Sequence, residues 1–155
     1  MERRVSVRVR VTQFLMMSAL ALTAATSRAD DDAVVLVTDK DSTIESISSL
    51  DIRKIYLGIS VSNEGNVIRA LRRRDDERLN QIFLQSVIAM SQRSYERRLL
   101  SLVLKFGTPR PVEVDDHDEL LELLASHPSS IAYMWKSEAE SDSSVKIIRV
   151  LWQET

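Results

Sequence analysis

Ser48-Ser49-Leu50-Asp51-Ile52-Arg53-Lys54-Ile55-Tyr56-Leu57-Gly58 reads as a short helix with both ends marked. Ser48 and Asp51 stand three apart, the spacing at which a serine hydroxyl meets a backbone N–H of the first turn and an acidic side chain answers it. Leu50, Ile55 and Tyr56 recur at helical spacing, and Gly58 supplies the left-handed residue on which helices commonly stop. The residues before this helix have a different rhythm. Ala33 to Thr38 is a short, unbroken, valine-rich run bounded by charge, which predicts a strand buried on both faces, as in parallel sheets.

The alternation continues downstream. Asn63 to Asn66 is a polar, glycine-containing loop, and Val67 to Leu71 predicts a second strand. Asp75-Asp76 cap a helix whose core face is Leu79, Ile82, Phe83 and Val87. Ser91 caps another, with Tyr95, Leu99, Leu102, Val103 and Phe106 on one stripe and Gly107 as its stop. Pro109 and Pro111 force an extended segment. Asp116 and Glu119 then open a helix of Leu120, Leu121, Leu123 and Leu124 that ends at His127-Pro128. Ile131 to Trp135 and Val145 to Trp152 predict the last strands, separated by a polar loop over Ser137–Ser144. Strands alternating with helices predict an α/β domain: a mostly parallel, mixed sheet flanked by helices.

The first residues read as an address. Arg3, Arg4, Arg8 and Arg10 make a basic start, Phe14 to Ala25 is apolar, and Ser27-Arg28-Ala29 offers small residues at the positions a signal peptidase inspects. The apolar run, about a dozen residues, is too short to cross the ~30 Å core of a bilayer as a helix. Residues 1–29 are therefore expected to be a signal peptide cleaved near Ala29. Residues 30–155 are then a single secreted, periplasmic domain with no membrane insertion. Removing residues 1–29 takes away five of the 21 basic residues and one of the 23 acidic ones, leaving 16 against 22, a net charge near −6. Such a domain is a poor general binder of nucleic acid or anionic membrane. The chain has no cysteine, which excludes disulfides and thiolate metal sites.

Three stretches, taken together, carry a resemblance. Ser48 to Gly58 resembles the "leucine, acidic, x, x, x, isoleucine, aromatic, leucine, glycine" segment of phosphate-binding proteins from ABC transporters. Ala70 to Phe83 is similar to the strand, arginine pair and helix that follow there. His127-Pro128-Ser129-Ser130-Ile131-Ala132-Tyr133-Met134 resembles the strand that closes the same lobe. The resemblance covers most of residues 33–152 and implies one of the two lobes of a type II periplasmic-binding fold. It also implies non-catalytic binding of phosphate or another small oxyanion, with no cofactor.

The ligand motif is where this chain departs from the family. There, an arginine shortly precedes an Asp-Gly-Ser-Gly-Thr turn at a helix N-terminus, whose backbone and hydroxyl donors hold phosphate. Here the turn reads Arg72-Arg73-Arg74-Asp75-Asp76-Glu77-Arg78-Leu79. Arg73 matches the phosphate-contacting arginine and Asp75 the aspartate, while Glu77, Arg78 and Leu79 replace the serine, the second glycine and the threonine. A carboxylate ~4 Å from a bound anion costs about 4 kcal/mol at a near-surface dielectric. The anion reading places Arg73 as main contact, with Arg72, Arg74, Asp75 and Arg78 nearby; Ser42 and Thr43, in the loop after the first strand, could add hydroxyl donors. The alternative is a protein-interaction or accessory module that kept the fold and lost the ligand. One lobe offers half a clamp, so tight binding would need a homodimer or an envelope partner to supply the opposite wall. The direction of Arg73 separates the two: aimed into an open concavity it serves a ligand, consumed by Asp75, Asp76 or Glu77 it does not.

Other chemistry is thin. His117 lies among Asp115, Asp116 and Asp118, where acids are expected as helix caps, so no metal is called for. His127 sits at a helix end, where a cation suits the dipole. No glycine-flanked serine elbow or glycine-rich phosphate loop is present, and the chain is expected not to be an enzyme. The helix from Ser91 carries Arg93, Arg97 and Arg98 opposite its apolar stripe, the pattern of a surface helix packed on a sheet or of one lying on anionic membrane. Trp135 and Trp152 read as core or edge packing.

Overall fold

The computed structural model describes residues 33–154. The signal-peptide reading, residues 1–29, lies outside them. β1 (Ala33–Asp39) is followed by α1 (Ser49–Tyr56), the small hairpin of β2 (Ser62–Asn63) and β3 (Asn66–Val67), and β4 (Arg69–Arg73). Next come α2 (Glu77–Phe83), a π-helical turn over Leu84–Ile88, α3 (Gln92–Phe106), β5 (Val112–Val114) and α4 (His117–Ser126). β6 (Ser130–Trp135), α5 (Lys136–Ser141) and β7 (Val145–Gln153) complete the chain. The five-stranded sheet has the order β5-β4-β6-β1-β7. β4 runs parallel to both its neighbours, while β1 runs antiparallel to both of its own, so the sheet is mixed.

β1 is buried along its whole length, as its valine-rich run requires. Val34 and Leu36 enter one core layer with α1, α2 and α3; Val35 and Val37 enter the other with α4 and α5. Its double-sided burial comes from a central position between antiparallel neighbours and not from a parallel arrangement, because helices cover both faces of the sheet. The larger layer is built on aromatic rings: Phe83 stacks on Tyr133 at 3.8 Å and meets Tyr56 edge-on at 4.7 Å. Buried side chains of this size contribute roughly 1.5–3 kcal/mol each, against under about 1 for an exposed ion pair, so these layers hold the fold.

The caps fall where the sequence puts them. Ser48 accepts from the Asp51 N–H, Asp76 from Leu79, Ser91 from Ser94 and Asp116 from Glu119. Gly58 has φ +78°, and a Cβ there would lie 2.9 Å from Thr108 Cγ2, so only glycine fits the close approach of the 108–109 segment.

Four local expectations are corrected. Leu50 is 63% exposed and Ile52 takes its place in the core, because the helix turns its Ile52–Ile55–Tyr56 side to the sheet. The second strand begins at Arg69, with Val67 in the hairpin. Phe106 is 74% exposed: α3 keeps Tyr95 and Leu99 buried, but its last turn runs past anything that covers it. Part of the polar Ser137–Ser144 stretch is helix. There the Trp135 N–H donates to Glu138, Lys136 pairs with Glu140 one turn on, and Ala139 is buried against the sheet. Those tertiary contacts override a weak local propensity.

Candidate functional site

β4 ends in two arginines that go to opposite faces. Ala70 belongs to the larger layer and Leu71 to the smaller, and the alternation of a strand carries Arg72 to the first and Arg73 to the second. Both are buried. They stand at the carboxyl end of the parallel strands, where open α/β sheets present ligand sites.

Arg73 is 5% exposed, and carboxylates gather around its guanidinium. Its Nη1 donates to Glu138 Oε1 at 2.9 Å and to His117 Nδ1 at 2.9 Å. Its Nη2 lies 3.7 Å from Asp76 Oδ2. Its Nε lies 2.6 Å from Asp75 Oδ1, an ion pair off the line of a good hydrogen bond. Three carboxylates thus surround one guanidinium, and the remaining charge of the cluster is negative. A guanidinium buried in this way is held in place by its partners, since removing either side leaves an uncompensated charge.

The partners are themselves fixed. Asp76 caps α2 through Oδ1 and accepts the Trp135 indole N–H through Oδ2 at 2.7 Å. Glu138 accepts the Trp135 backbone N–H at 3.1 Å. Asn80 donates to the Arg73 and Asp76 carbonyl oxygens, both at 2.8 Å, and accepts the Tyr133 hydroxyl. The turn after β4 is stitched from inside, with the Leu79 N–H answered by the Asp76 carboxylate and the Asn80 N–H by the Asp76 carbonyl.

Arg72 lies over the Tyr95 ring at 4.8 Å, with Nε 3.3 Å from the Tyr133 hydroxyl and Nη1 3.5 and 3.4 Å from Glu96 and Glu113. Burial works against its charge, but Tyr133, Tyr95 and Glu113 outweigh that and hold its pKa above the ordinary arginine value. Glu96 also takes Arg110 at 2.5 Å, and Arg74 pairs with Asp115. A polar hollow of about 540 Å³, lined in part by Arg72, Arg73, Arg74, Asn80, Glu96 and Arg110, is bordered by cations already matched to carboxylates.

The structure brings Arg73 and Asp75 into contact and sets Arg72 and Arg74 on its flanks. Arg78 lies over the Trp135 ring at 5.3 Å. Glu77 turns away to accept from Gln81. Ser42 and Thr43 are not brought to this site. Because β1 runs antiparallel, its end lies beside the start of β6, where the Ser42 hydroxyl donates to the Pro128 carbonyl at 2.5 Å. Thr43 is exposed.

Two residues that close the site escape a sequence reading. Glu138 belongs to the stretch that reads as loop; the three-residue spacing from Trp135 was its only signal. His117 is more than a helix cap, because it points at Arg73, with Glu138 Oε1 3.9 Å from its Nδ1. Among the described residues, no cluster of three or more His, Asp or Glu side chains could hold a metal ion.

An α/β lobe with its charged residues gathered at the carboxyl ends of parallel strands defines the class of the molecule. No protein-family model matches the chain, and no curated protein matches it either. Solved structures do. An ABC-type phosphate transport receptor from Vibrio cholerae superposes with a TM-score of 0.54 at 14% identity, covering 76% of this chain and 45% of that one. PstS from Borrelia burgdorferi gives a TM-score of 0.54 at 18% identity, covering 79% of this chain and 49% of that one. The chain therefore has the fold of phosphate ABC transporter substrate-binding proteins over a lobe-sized part. It spans less than half the length of those two structures.

Proposed function

We propose that this chain is a secreted accessory module of the cell envelope that keeps one lobe of the phosphate-receptor fold and acts through contact with a partner, without catalysis and without holding phosphate. The observation that carries this reading is the closure of Arg73 by Asp75, Asp76 and Glu138. A phosphate dianion at that guanidinium would meet three carboxylates, each costing about 4 kcal/mol at ~4 Å and a near-surface dielectric. Secretion rests on the basic, apolar, small-x-small order of residues 1–29. It predicts that N-terminal sequencing of the exported protein starts at Asp30.

The second reading, an oxyanion receptor, is favoured by the position of Arg73 at a strand end directly before a helix N-terminus. Calorimetric titration of phosphate into the processed chain, beside an Arg73→Ala variant, separates the two. The accessory reading predicts no heat of binding at millimolar phosphate. Micromolar binding that Arg73→Ala abolishes would establish the receptor instead.

A further inference from the structure

The outer side of α3 has no role in the reading above and a chemistry of its own. Tyr95, Leu99, Leu102 and Phe106 form the inner stripe, and the opposite strip carries Arg93, Arg97, Leu100 and Leu104 at the same helical spacing. Leu100, Leu104 and Phe106 are 51%, 76% and 74% exposed. Around them stand Arg93, Arg97, Arg98 and Lys105, all exposed and none with an ion pair or hydrogen-bond partner among the described residues. The one acidic residue of α3, Glu96, is turned away to Arg72 and Arg110. The last turn, closed by Gly107 at φ +63°, leaves Leu104 in solvent on the same strip as Leu100.

We infer that this face of α3 lays the domain on an anionic lipid surface. The charge pattern selects that occupant. Cations that find no carboxylate on their own domain are matched by lipid phosphates, while Leu100 and Leu104 enter the boundary between headgroup and acyl chain. The processed chain carries a net charge near −6 over 30–155, and its remainder near −9 once the four cations and one carboxylate of α3 are set aside, so the attraction is confined to α3 and fixes one orientation. The surface is independent of Arg73 and holds whichever reading of the crevice is right.

Vesicle co-sedimentation tests it on the processed chain from Asp30, which contains every residue of the described fold and omits the apolar leader. Vesicles of phosphatidylglycerol and phosphatidylcholine in equal parts are expected to carry the protein down, and pure phosphatidylcholine is not. Arg93→Gln and Arg97→Gln are each expected to weaken partitioning about fivefold. Leu100→Glu with Leu104→Glu is expected to abolish it with the circular dichroism spectrum unchanged. Absence of binding to the anionic vesicles overturns the inference. So does binding that survives the Leu100 and Leu104 changes, or a soluble acidic protein engaged by this face without any lipid binding.

Discussion

The end of β4 and the outer face of α3 are both rich in arginine, and they treat it in opposite ways. At β4, Arg72, Arg73 and Arg74 each have carboxylate partners: Glu96 and Glu113, then Asp75, Asp76 and Glu138, then Asp115. On α3, Arg93, Arg97, Arg98 and Lys105 have none among the described residues. Position in the fold would assign function to the first region, because it is where α/β sheets hold ligands. The satisfaction of its charges points the other way. A site built for an external anion leaves cations unmatched by carboxylates, and the unmatched cations lie on the helix.

Several measurements sharpen or break this contrast. The largest effect is expected at high pH, in the aromatic layer that anchors α3. Tyr56, Tyr95 and Tyr133 are buried, and burial raises the pKa of each above the ordinary value near 10. Their stabilisation is complete below that value and is lost as pH rises through the raised ones, because the unfolded chain gives up its phenolic protons first. Alkaline titration followed by circular dichroism should show cooperative unfolding, with phenolate absorbance appearing in the same step. Phenolate appearing before unfolding would mean that the layer is open.

Among substitutions, Arg73→Ala should cost most, about 3 kcal/mol in chemical denaturation, since three carboxylates lose their shared cation. Asp76→Ala should cost about 1 kcal/mol through loss of the α2 cap, and more to the extent that the Trp135 indole N–H is left unmet. Arg97→Ala, on the unpaired side, should stay within about 0.5 kcal/mol of the parent. Equal losses at Arg73 and Arg97 would erase the distinction between the two regions. The smallest effect belongs to Asp51, whose carboxyl is lowered by the Ser48 hydroxyl and by Lys54. That local contribution is present above the usual carboxylate range and fades as pH falls through the lowered value, visible as fraying of α1 in acid.

The same contrast marks what the sequence makes legible. Local chemistry reads well: the caps at Ser48, Asp76, Ser91 and Asp116 and the stops at Gly58 and Gly107 are decided within a few residues. So is the unbroken apolar run that buries β1 on both faces. Direction does not read as well. Nothing within Ala33–Thr38 says that β1 runs antiparallel, and that fact carries Ser42 and Thr43 away from Arg73. Stripes show which residues share a helix face but not where the neighbouring layer stops, which is why Leu50 and Phe106 stand in solvent. Arg73 itself was legible through family resemblance. Its closure was not, because His117 and Glu138 lie 44 and 65 residues away and meet it only once α4 and α5 are packed.

The central claim is that Arg73 is internally occupied, and the side-chain Nε–H resonance of Arg73 in the processed chain reports on it directly. The account predicts a signal that is unmoved as phosphate is raised to millimolar concentration and that shifts in Glu138→Gln. A saturable shift at micromolar phosphate in the unaltered protein would contradict it.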